Sequence, residues 1–402
     1  MIKLENTSFD CCIKCTVCTV YCPVARASAS YPGPKYSGPD AERLRIKTPF
    51  LADQSLAYCN NCKRCETVCP SDVRITDFIY QAKSSRLTQK HRIRDFLLTR
   101  TDLTGQIATR VHALANRIMQ MPATRLVLSV IFGISRKADF PRFDRSTFAR
   151  SLHRQVTYQQ TFPETVLYFH GCYVNYYDHA LGNDVVFVLN ALGIGVIAPP
   201  QKCCGVPLIA SGNLKKVKKN GHYIVTKLLN AAGAGGRTII FSSSSCILTV
   251  KHDYPGILQI DNSSVYHQLE FITAFIHKRF RQKGLPEMAG VNLTAAYHAP
   301  CHLERTGGVI HTVSALKSIP GLRLVLLHSE CCGIAGTYGF KKEFNGIATD
   351  IGQGLFDQIN NVKPDIVITD CETCKMQIQT HTPYPVMHPV SVIAMALRTA
   401  SV

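Results

Sequence analysis

The sequence predicts an α+β protein of several domains, in which a small helical domain precedes two repeated α/β domains. Two observations lead to this prediction. Nine of the 18 cysteines lie within residues 1–86, and eight of these form two runs with the same spacing. Later in the chain, four cysteines and their neighbours recur after 128 or 129 residues, beside short apolar runs. We therefore expect four segments: 1–86, a basic stretch at 87–160, and two repeats at 161–290 and 291–402.

The abundance of cysteine limits the class of protein. A chain of 402 residues is long enough for several buried cores, and 18 cysteines indicate either disulfides or bound metal. Residues 1–10 contain no apolar signal core, so we expect a compartment in which thiols stay reduced and metal is favoured. No run approaches the roughly 18 apolar residues that are needed to span a bilayer.

Both cysteine runs of the first segment follow the spacing C-x2-C-x2-C-x3-C-P, over residues 12–23 and 59–70. In this spacing three thiolates on a tight turn bind one [4Fe–4S] cluster, and the fourth binds the other cluster of the pair. We therefore predict an α-helical, ferredoxin-like domain with two [4Fe–4S] clusters. Structural zinc is the alternative, although zinc favours two pairs of ligands around one ion.

The fourth cysteine of each run predicts a crossed arrangement of ligands, which brings the two clusters close together. The first cluster takes Cys12, Cys15, Cys18 and Cys69, and the second takes Cys22, Cys59, Cys62 and Cys65. Cys11 is out of register with the motif, so we do not expect it to bind iron.

Each repeat contains an apolar run ending in cysteine, then Cys-Cys-Gly, then a second apolar run that leads into another cysteine. The matched cysteines are Cys172, Cys203, Cys204 and Cys246 in the first repeat, and Cys301, Cys331, Cys332 and Cys374 in the second. The apolar runs predict buried parallel strands, and the helical patterns between them predict small α/β domains. Ligand sites of open α/β sheets lie at such strand ends.

The two repeats differ at one position, because Cys371 of the second repeat corresponds to Ser243 of the first. Thiolates in this number favour iron–sulfur clusters or zinc, and a serine hydroxyl is a poor substitute for a thiolate. We expect a full site in the second repeat and a partial or absent one in the first, where buried core thiols are an alternative. His170, His298 and His302 lie beside cysteines and are either ligands, proton carriers or hydrogen-bonding neighbours.

The basic segment predicts amphipathic helices. Residues 86–154 hold 14 Lys or Arg against four Asp. Five apolar residues share one helical face: Ile107, Val111, Leu114, Ile118 and Met121. This face either lies on an anionic membrane surface or packs on the protein's own domains. No helix-turn-helix or zinc-finger pattern occurs, so we expect no nucleic-acid partner.

Together these motifs resemble a known family. An eight-cysteine ferredoxin domain followed by two Cys-Cys-Gly repeats is similar to the iron–sulfur proteins related to glycolate oxidase and to the B subunit of heterodisulfide reductase. The residues around the cysteines point further, to the family of C subunits of bacterial anaerobic glycerol-3-phosphate dehydrogenases. The similar stretches are residues 12–26, 31–45, 58–73, 331–343 and 369–375. The resemblance covers essentially the whole chain.

The resemblance implies a non-catalytic electron-transfer subunit of a glycerol-3-phosphate:quinone oxidoreductase. Such a chain takes electrons from a flavin-bearing catalytic subunit, passes them toward menaquinone in anaerobic respiration, and helps hold its two partner subunits at the cytoplasmic face of the inner membrane. The non-cubane cluster of the family falls on Cys301, Cys331, Cys332, Cys371 and Cys374. Ser243 departs from that pattern. The alternatives are an iron–sulfur subunit of a glycolate or lactate oxidase, a disulfide reductase, and a zinc-binding regulator.

Overall fold

The computed structural model of the chain describes residues 8–48, 53–86 and 92–400. It confirms the expected fold class, because an N-terminal helical domain is followed by two parallel β-sheets with helices around them. Parts of the expected segments lie outside the described residues: 1–7, 49–52, 87–91 and 401–402. The segment boundaries stay predictions.

Short helices joined by tight loops form the N-terminal domain. Its α-helices are α1 (Val17–Val20), α2 (Pro23–Ala27), α3 (Ala41–Lys47), α4 (Arg64–Thr67) and α5 (Ile75–Arg86). Two 3-10 helices, Ser8–Cys11 and Gln54–Tyr58, and one π-helical segment, Tyr36–Asp40, lie between them. Pro23 occupies the first turn of α2, where its missing N–H costs no helical hydrogen bond. The helix therefore begins directly after the fourth cysteine of the motif.

The basic segment folds into a series of helices along the surface. They are α6 (Arg92–Thr99), α7 (Thr101–Arg110), α8 (His112–Gln120), α9 (Pro122–Phe132), α10 (Phe148–His153) and α11 (Val156–Gln159). The amphipathic stretch is two helices, because the backbone leaves helical geometry at Val111. All five apolar residues of the expected face are nevertheless exposed. None of the helices in the described part of the chain is long and apolar enough to cross a bilayer.

The first repeat is a four-stranded parallel sheet in the order β2-β1-β3-β4. Its strands are β1 (Glu164–Phe169), β2 (Ile194–Ile197), β3 (Ile239–Phe241) and β4 (Leu269–Phe271). Its helices are α12 (Gly171–Tyr176), α13 (His179–Ala191), α14 (Val206–Ala210), α15 (Leu214–Ala232), α16 (Ser244–Leu248), α17 (Tyr254–Gly256), α18 (Ser263–Tyr266) and α19 (Ile272–Lys283), with a π-helical segment at Thr249–Asp253. Apolar side chains on both faces bury β1 and β3 at the centre, as the continuous apolar runs predict.

The second repeat has the same topology, with the strand order β6-β5-β7-β8. Its strands are β5 (Thr294–His298), β6 (Arg323–Leu326), β7 (Ile366–Thr369) and β8 (Val386–Met387). Its helices are α20 (Cys301–Arg305), α21 (Val309–Lys317), α22 (Lys342–Val362), α23 (Glu372–His381) and α24 (Pro389–Ala400). Strands β5 and β7 pair in parallel with Tyr297 opposite Ile368, and β1 and β3 pair with Tyr168 opposite Ile240. The central pairs of the two repeats thus share one register.

Helices of each repeat pack against the other repeat across their boundary. The last helix of the second repeat, α24, packs on α13 of the first, and the last helix of the first, α19, packs on α21 of the second. The His388 ring also bonds through Nε2 to the Ser242 carbonyl oxygen at 2.9 Å, which joins the end of β8 to the end of β3. The repeats therefore form one packed unit with a shared apolar core.

Candidate metal centre

The two ferredoxin motifs fold into loops with the same unusual backbone. Lys14 and Thr16 in the first loop have φ angles of 60° and 67°, and Asn61 and Lys63 at the equivalent places in the second have 58° and 59°. Left-handed residues at alternating positions turn successive backbone N–H groups toward one side, which is the geometry of anion-binding nests in many iron–sulfur sites. Both loops therefore fit an anionic cluster.

The structure brings together one cysteine set of the crossed pattern at the first loop. A small cavity is lined by Cys12, Cys15, Cys18 and Cys69. Burial raises the pKa of the Cys18 thiol, and the other three thiols of the set add to the rise. The Val73 N–H donates to the Cys69 sulfur at 3.4 Å, which orients this fourth side chain. Cys11 lies outside the set and is exposed at the end of its 3-10 helix.

The second set of the crossed pattern is more deeply buried. It consists of Cys22, Cys59, Cys62 and Cys65. Burial raises the pKa of Cys22 to about 12 and raises the pKa of Cys62 and of Cys65 well above the usual value, with neighbouring thiols adding to the effect. Buried thiols of this kind stay protonated unless a cation offsets the charge of the thiolate. The irons of a cluster supply such a cation, so the donor set fits an iron–sulfur cluster.

The cysteines of both repeats lie at the carboxyl ends of their strands, where the strand order reverses. Cys172 follows β1 and Cys246 follows β3, and the two strands are neighbours from which the chain winds in opposite directions. Crevices at this point are the ligand sites of open α/β sheets. Cys301 after β5 and Cys371 after β7 occupy the same place in the second sheet.

In the first repeat all four cysteines come together. The sulfur atoms of Cys172 and Cys203 are 3.9 Å apart, and Cys204 adjoins both Cys203 and Cys246. Ser243, which replaces the fifth cysteine, caps α16: its hydroxyl oxygen accepts from the Cys246 N–H at 3.4 Å. The structure therefore gives Ser243 a local role, in keeping with its poor quality as an iron ligand.

The second repeat gathers all five of its cysteines. The sulfur atoms of Cys332 and Cys374 are 3.2 Å apart, and the Gly333 N–H donates to the Cys331 sulfur at 3.4 Å. Hydrogen bonds from neighbouring thiols lower the pKa of Cys331 and of Cys371 well below the usual value. Gly333 has a φ of 86°, and a Cβ there would collide with the Ala348 carbonyl. Only glycine fits this approach of the loop to α22.

The sulfur atoms are spread around each set rather than converging on one point. Within residues 8–48, 53–86 and 92–400, no three His, Cys, Asp or Glu side chains are arranged to hold a single metal ion. The ligands of each cluster stay predictions at the level of individual residues.

Contacts connect three of the four cysteine sets, namely the second ferredoxin set and the sets of the two repeats. Cys62 of the second ferredoxin set lies near Cys331 of the second repeat, whose charge adds to the rise in the pKa of Cys62. Cys371 of the second repeat lies 3.7 Å from the Ser245 hydroxyl of the first repeat, next to Cys246 in the chain. The second-repeat set therefore lies between the second ferredoxin set and the first-repeat set in one row.

Sequence reasoning missed the residues that connect these domains. The Lys63 ammonium lies 3.0 Å from Asp253 of the first repeat and 3.5 Å and 3.7 Å from Glu66 and Asp77. Burial alone would lower the pKa of Lys63, but Asp253 and then the other two carboxylates raise it above its ordinary value. A lysine inside a cysteine motif carries no signal of this kind, because its partner lies 190 positions away.

His302 joins three domains by hydrogen bonds. Its Nε2 donates to the Asn61 carbonyl oxygen at 2.9 Å, and its Nδ1 bonds to the Ser245 hydroxyl at 2.9 Å. Of the three histidines noted in the sequence, His302 is thus a hydrogen-bonding neighbour. His170 and His298 are buried beside the cysteine sets, and burial lowers the pKa of each to about 4.

Comparison with known proteins identifies both kinds of domain. Residues 8–73 match the 4Fe-4S dicluster domain, and residues 166–251 and 295–379 each match the cysteine-rich domain CCG. These matches define the chain as an iron–sulfur protein with a dicluster [4Fe–4S] domain and two cysteine-rich domains.

Curated relatives narrow the class further. The C subunit of anaerobic glycerol-3-phosphate dehydrogenase from Escherichia coli strain K12 is 42% identical over 395 residues, covering 98% of this chain and 100% of the relative. The B subunit of fumarate reductase (CoM/CoB) from Methanothermobacter marburgensis is 28% identical, covering 92% of this chain and 67% of the relative. The D subunit of dihydromethanophenazine:CoB–CoM heterodisulfide reductase from Methanosarcina barkeri is 24% identical, covering 94% and 90%. The chain belongs to the family of anaerobic glycerol-3-phosphate dehydrogenase C subunits.

Proposed function

We propose that this chain carries electrons from the flavin-bearing catalytic subunit of an anaerobic glycerol-3-phosphate dehydrogenase toward menaquinone. The row of three cysteine sets, which the first ferredoxin set adjoins along the chain, is the observation that carries the proposal. Clusters bound there supply one-electron transfer, and the two ferredoxin sets and the second-repeat set are the predicted ligands. Neighbouring sets in contact give electrons a short route from the N-terminal domain to the repeats.

The surface of the basic segment supports a peripheral position on the cytoplasmic face of the inner membrane. Helices α6 to α9 expose large apolar side chains to solvent, among them Ile107, Leu114, Val130 and Ile131. Six Lys and Arg residues that are not buried lie on or near the same helices: Arg100, Arg110, Arg117, Arg125, Arg136 and Lys137. Apolar side chains with surrounding cations are the composition of a helix that lies on anionic lipid.

The test is reconstitution of the complex of this chain with its two partner subunits. We expect glycerol 3-phosphate to reduce menaquinone in anionic vesicles only when this chain is present with its clusters. Reduction by the partner subunits alone at the same rate would overturn the proposal. Iron and acid-labile sulfide counts with low-temperature EPR on the same preparation report the clusters independently, and zinc without sulfide would favour a regulator.

A second candidate is reduction of a disulfide substrate at the cysteine-rich domains, and the heterodisulfide reductase relative favours it. The isolated chain with a chemical reductant distinguishes the two. Reduction of a disulfide at the rate of the full complex would support this second function. Reduction of menaquinone without reduction of a disulfide supports electron transfer.

A further inference from the structure

A cavity of about 390 Å³ lies between the basic helices and the repeats. One wall consists of apolar side chains from α6, α8 and α9, including Leu98, Met119 and Leu128, and the opposite wall carries the four first-repeat cysteines. Residues of α23, the helix that follows Cys371 of the second repeat, also line this space, among them Met376. The volume is in the range of small-molecule sites, roughly 300–1,000 Å³, and such sites are mainly apolar with few polar groups.

Three buried polar atoms belong to residues that line this apolar space. They are Nε2 of His170, the hydroxyl of Thr337 and Oε1 of Glu372, on side chains at most 6% exposed. None of the three has a hydrogen-bond partner among the residues that the structure describes. Because a buried polar atom without a partner is costly, the three atoms indicate a ligand that carries polar groups of its own.

The hydrogen-bonding capacity of these atoms limits the ligand. His170 Nδ1 lies 2.8 Å from the Gly171 carbonyl oxygen and therefore carries the proton, which leaves Nε2 as an acceptor. Thr337 offers a donor. Both side chains are matched by a ligand with oxygen atoms on an apolar ring. These oxygens accept hydrogen bonds in one redox state and donate them in the other. Quinones and quinols have these properties.

The cavity is continuous with the exposed apolar surface. Leu97 of α6 lines the cavity and is also 37% exposed, next to the exposed Phe96 and one turn from the exposed Ile93. Leu97 thus connects the exposed apolar surface of α6 with the cavity.

We propose that this cavity binds the ring of a membrane-dissolved quinone, with its apolar tail leaving past Leu97. The inference rests on the proposed function, because it names the place of the electron acceptor. Reduction of a quinone adds two electrons and two protons and forms two O–H bonds. The electrons come from glycerol 3-phosphate through the clusters, and the protons come from water.

The experiment measures binding of menadione, 2-methyl-1,4-naphthoquinone, to the full chain with its clusters in detergent micelles. Thr104 of α7 lines the cavity, and Thr104→Phe fills part of it. We expect binding at least tenfold weaker. Ala113→Phe adds the same ring to the exposed surface of α8 and is the matched control, which should bind as the wild type does. An azido derivative of menadione should label peptides of the cavity wall, as mapped by mass spectrometry.

A second variant that changes the side-chain volume less provides the test if Thr104→Phe does not fold. Thr337→Val removes the hydroxyl and preserves the shape, and loss of one neutral hydrogen bond weakens binding about fivefold. Iron content and the EPR signals should stay unchanged in every variant. Wild-type affinity in both cavity variants, or label located outside the cavity, would overturn the inference.

The outcomes separate this inference from the proposed function. If the complex reduces menaquinone at the normal rate with Thr104→Phe, the cavity is not the acceptor site and the electron-transfer function stands. If menadione binds in the cavity but the complex never reduces menaquinone, the cavity stands as a quinone site and the proposed function is wrong.

Discussion

At the scale of single residues, Lys63 joins the N-terminal domain to the first repeat through a buried ion network. Its ammonium is 2% exposed and is surrounded by three carboxylates, of which Asp253 belongs to a different domain. The desolvation of such a charge is offset only because its partners are close. Removal of this cation takes the nearest positive charge from Asp253 and leaves Glu66 and Asp77 with the more distant Arg305 and Arg74, each at 3.9 Å.

We predict that Lys63→Met destabilises the protein by about 3–5 kcal/mol, because it breaks a buried ion network. The measurement is the apparent free energy of unfolding from pulse proteolysis in urea, under anaerobic conditions. Lys14→Met is the matched control, because Lys14 is an exposed lysine in the left-handed part of the other motif loop. An equal and small effect of both substitutions would contradict the role of the network.

A second residue-scale prediction concerns crossed ligation. Cys69 lies with Cys12, Cys15 and Cys18, although it belongs to the other cysteine run. Cys69→Ser should remove the cluster of the first loop and about four irons, and should leave the EPR signal of the second cluster. Cys11→Ser, which changes an exposed thiol one residue from the motif, should keep the full iron content. Loss of the second cluster instead would show that each run binds its own cluster.

At the scale of secondary-structure elements, the helices of the basic segment present apolar and basic side chains together. Each basic residue near an anionic membrane contributes about 1 kcal/mol to binding. Replacement of Arg110, Arg117, Arg125, Arg136 and Lys137 by Gln should therefore release the complex from anionic vesicles, and salt should act in the same direction. Co-sedimentation measures the effect.

A control set with the same change in charge tests the location of this surface. Five exposed cations lie on or beside the repeats: Arg237, Lys278, Arg281, Lys283 and Lys317. Their replacement by Gln should leave most of the complex bound. Equal release by both sets would show that net charge, and not the helical surface, holds the protein on the vesicles.

The elements also show which features a sequence can reveal. The strands β1, β3, β5 and β7 were predictable, because continuous apolar runs are a local signal, and so was the apolar face of α7 and α8. The cavity was not, because its walls come from helices and loops far apart in the chain. The contact of Lys63 with Asp253 and the packing of helices between the repeats could not be predicted either, because they too join residues far apart in the chain. The break at Val111 has no glycine or proline to mark it.

At the scale of the whole molecule, the two repeats share a topology but not a ligand set. Cys332→Ser should therefore cost more iron and more electron transfer to quinone than Cys204→Ser at the matched position. Both ferredoxin signals should stay intact in each variant. Iron content and EPR signals of the two variants, measured side by side, test this prediction. Equal losses would show that the first repeat holds an equally important cluster despite Ser243.

The boundary between the repeats should make stability depend on pH. His388 bonds through Nε2 to the Ser242 carbonyl and through Nδ1 to the Val390 N–H, so the neutral ring has both nitrogens satisfied. Burial lowers the pKa of His388 to about 4. Below pH 6.5 the unfolded chain therefore protonates this histidine, whereas the folded chain keeps it neutral. Up to roughly 3 kcal/mol of stability is lost as the pH falls toward 4.

The variant His388→Gln isolates this contribution, because an amide can donate to Ser242 but does not titrate. The unfolding free energy of this variant should fall less than that of the wild type between pH 6.5 and 4. His153→Gln, at an exposed position of α10, should keep the wild-type dependence on pH. An unchanged slope in His388→Gln would show that other groups control the acid response.

The packing of α24 on α13 also has a consequence for biosynthesis. Helix α13 buries Leu181, Val185 and Leu189, and Arg398 of α24 reaches Asp184 at 2.7 Å. A ribosome releases α24 after α13 and the rest of the first repeat, so the face of α13 that α24 covers stays open until α24 has emerged. A chain that stalls early keeps an apolar surface that chaperones and proteases can bind.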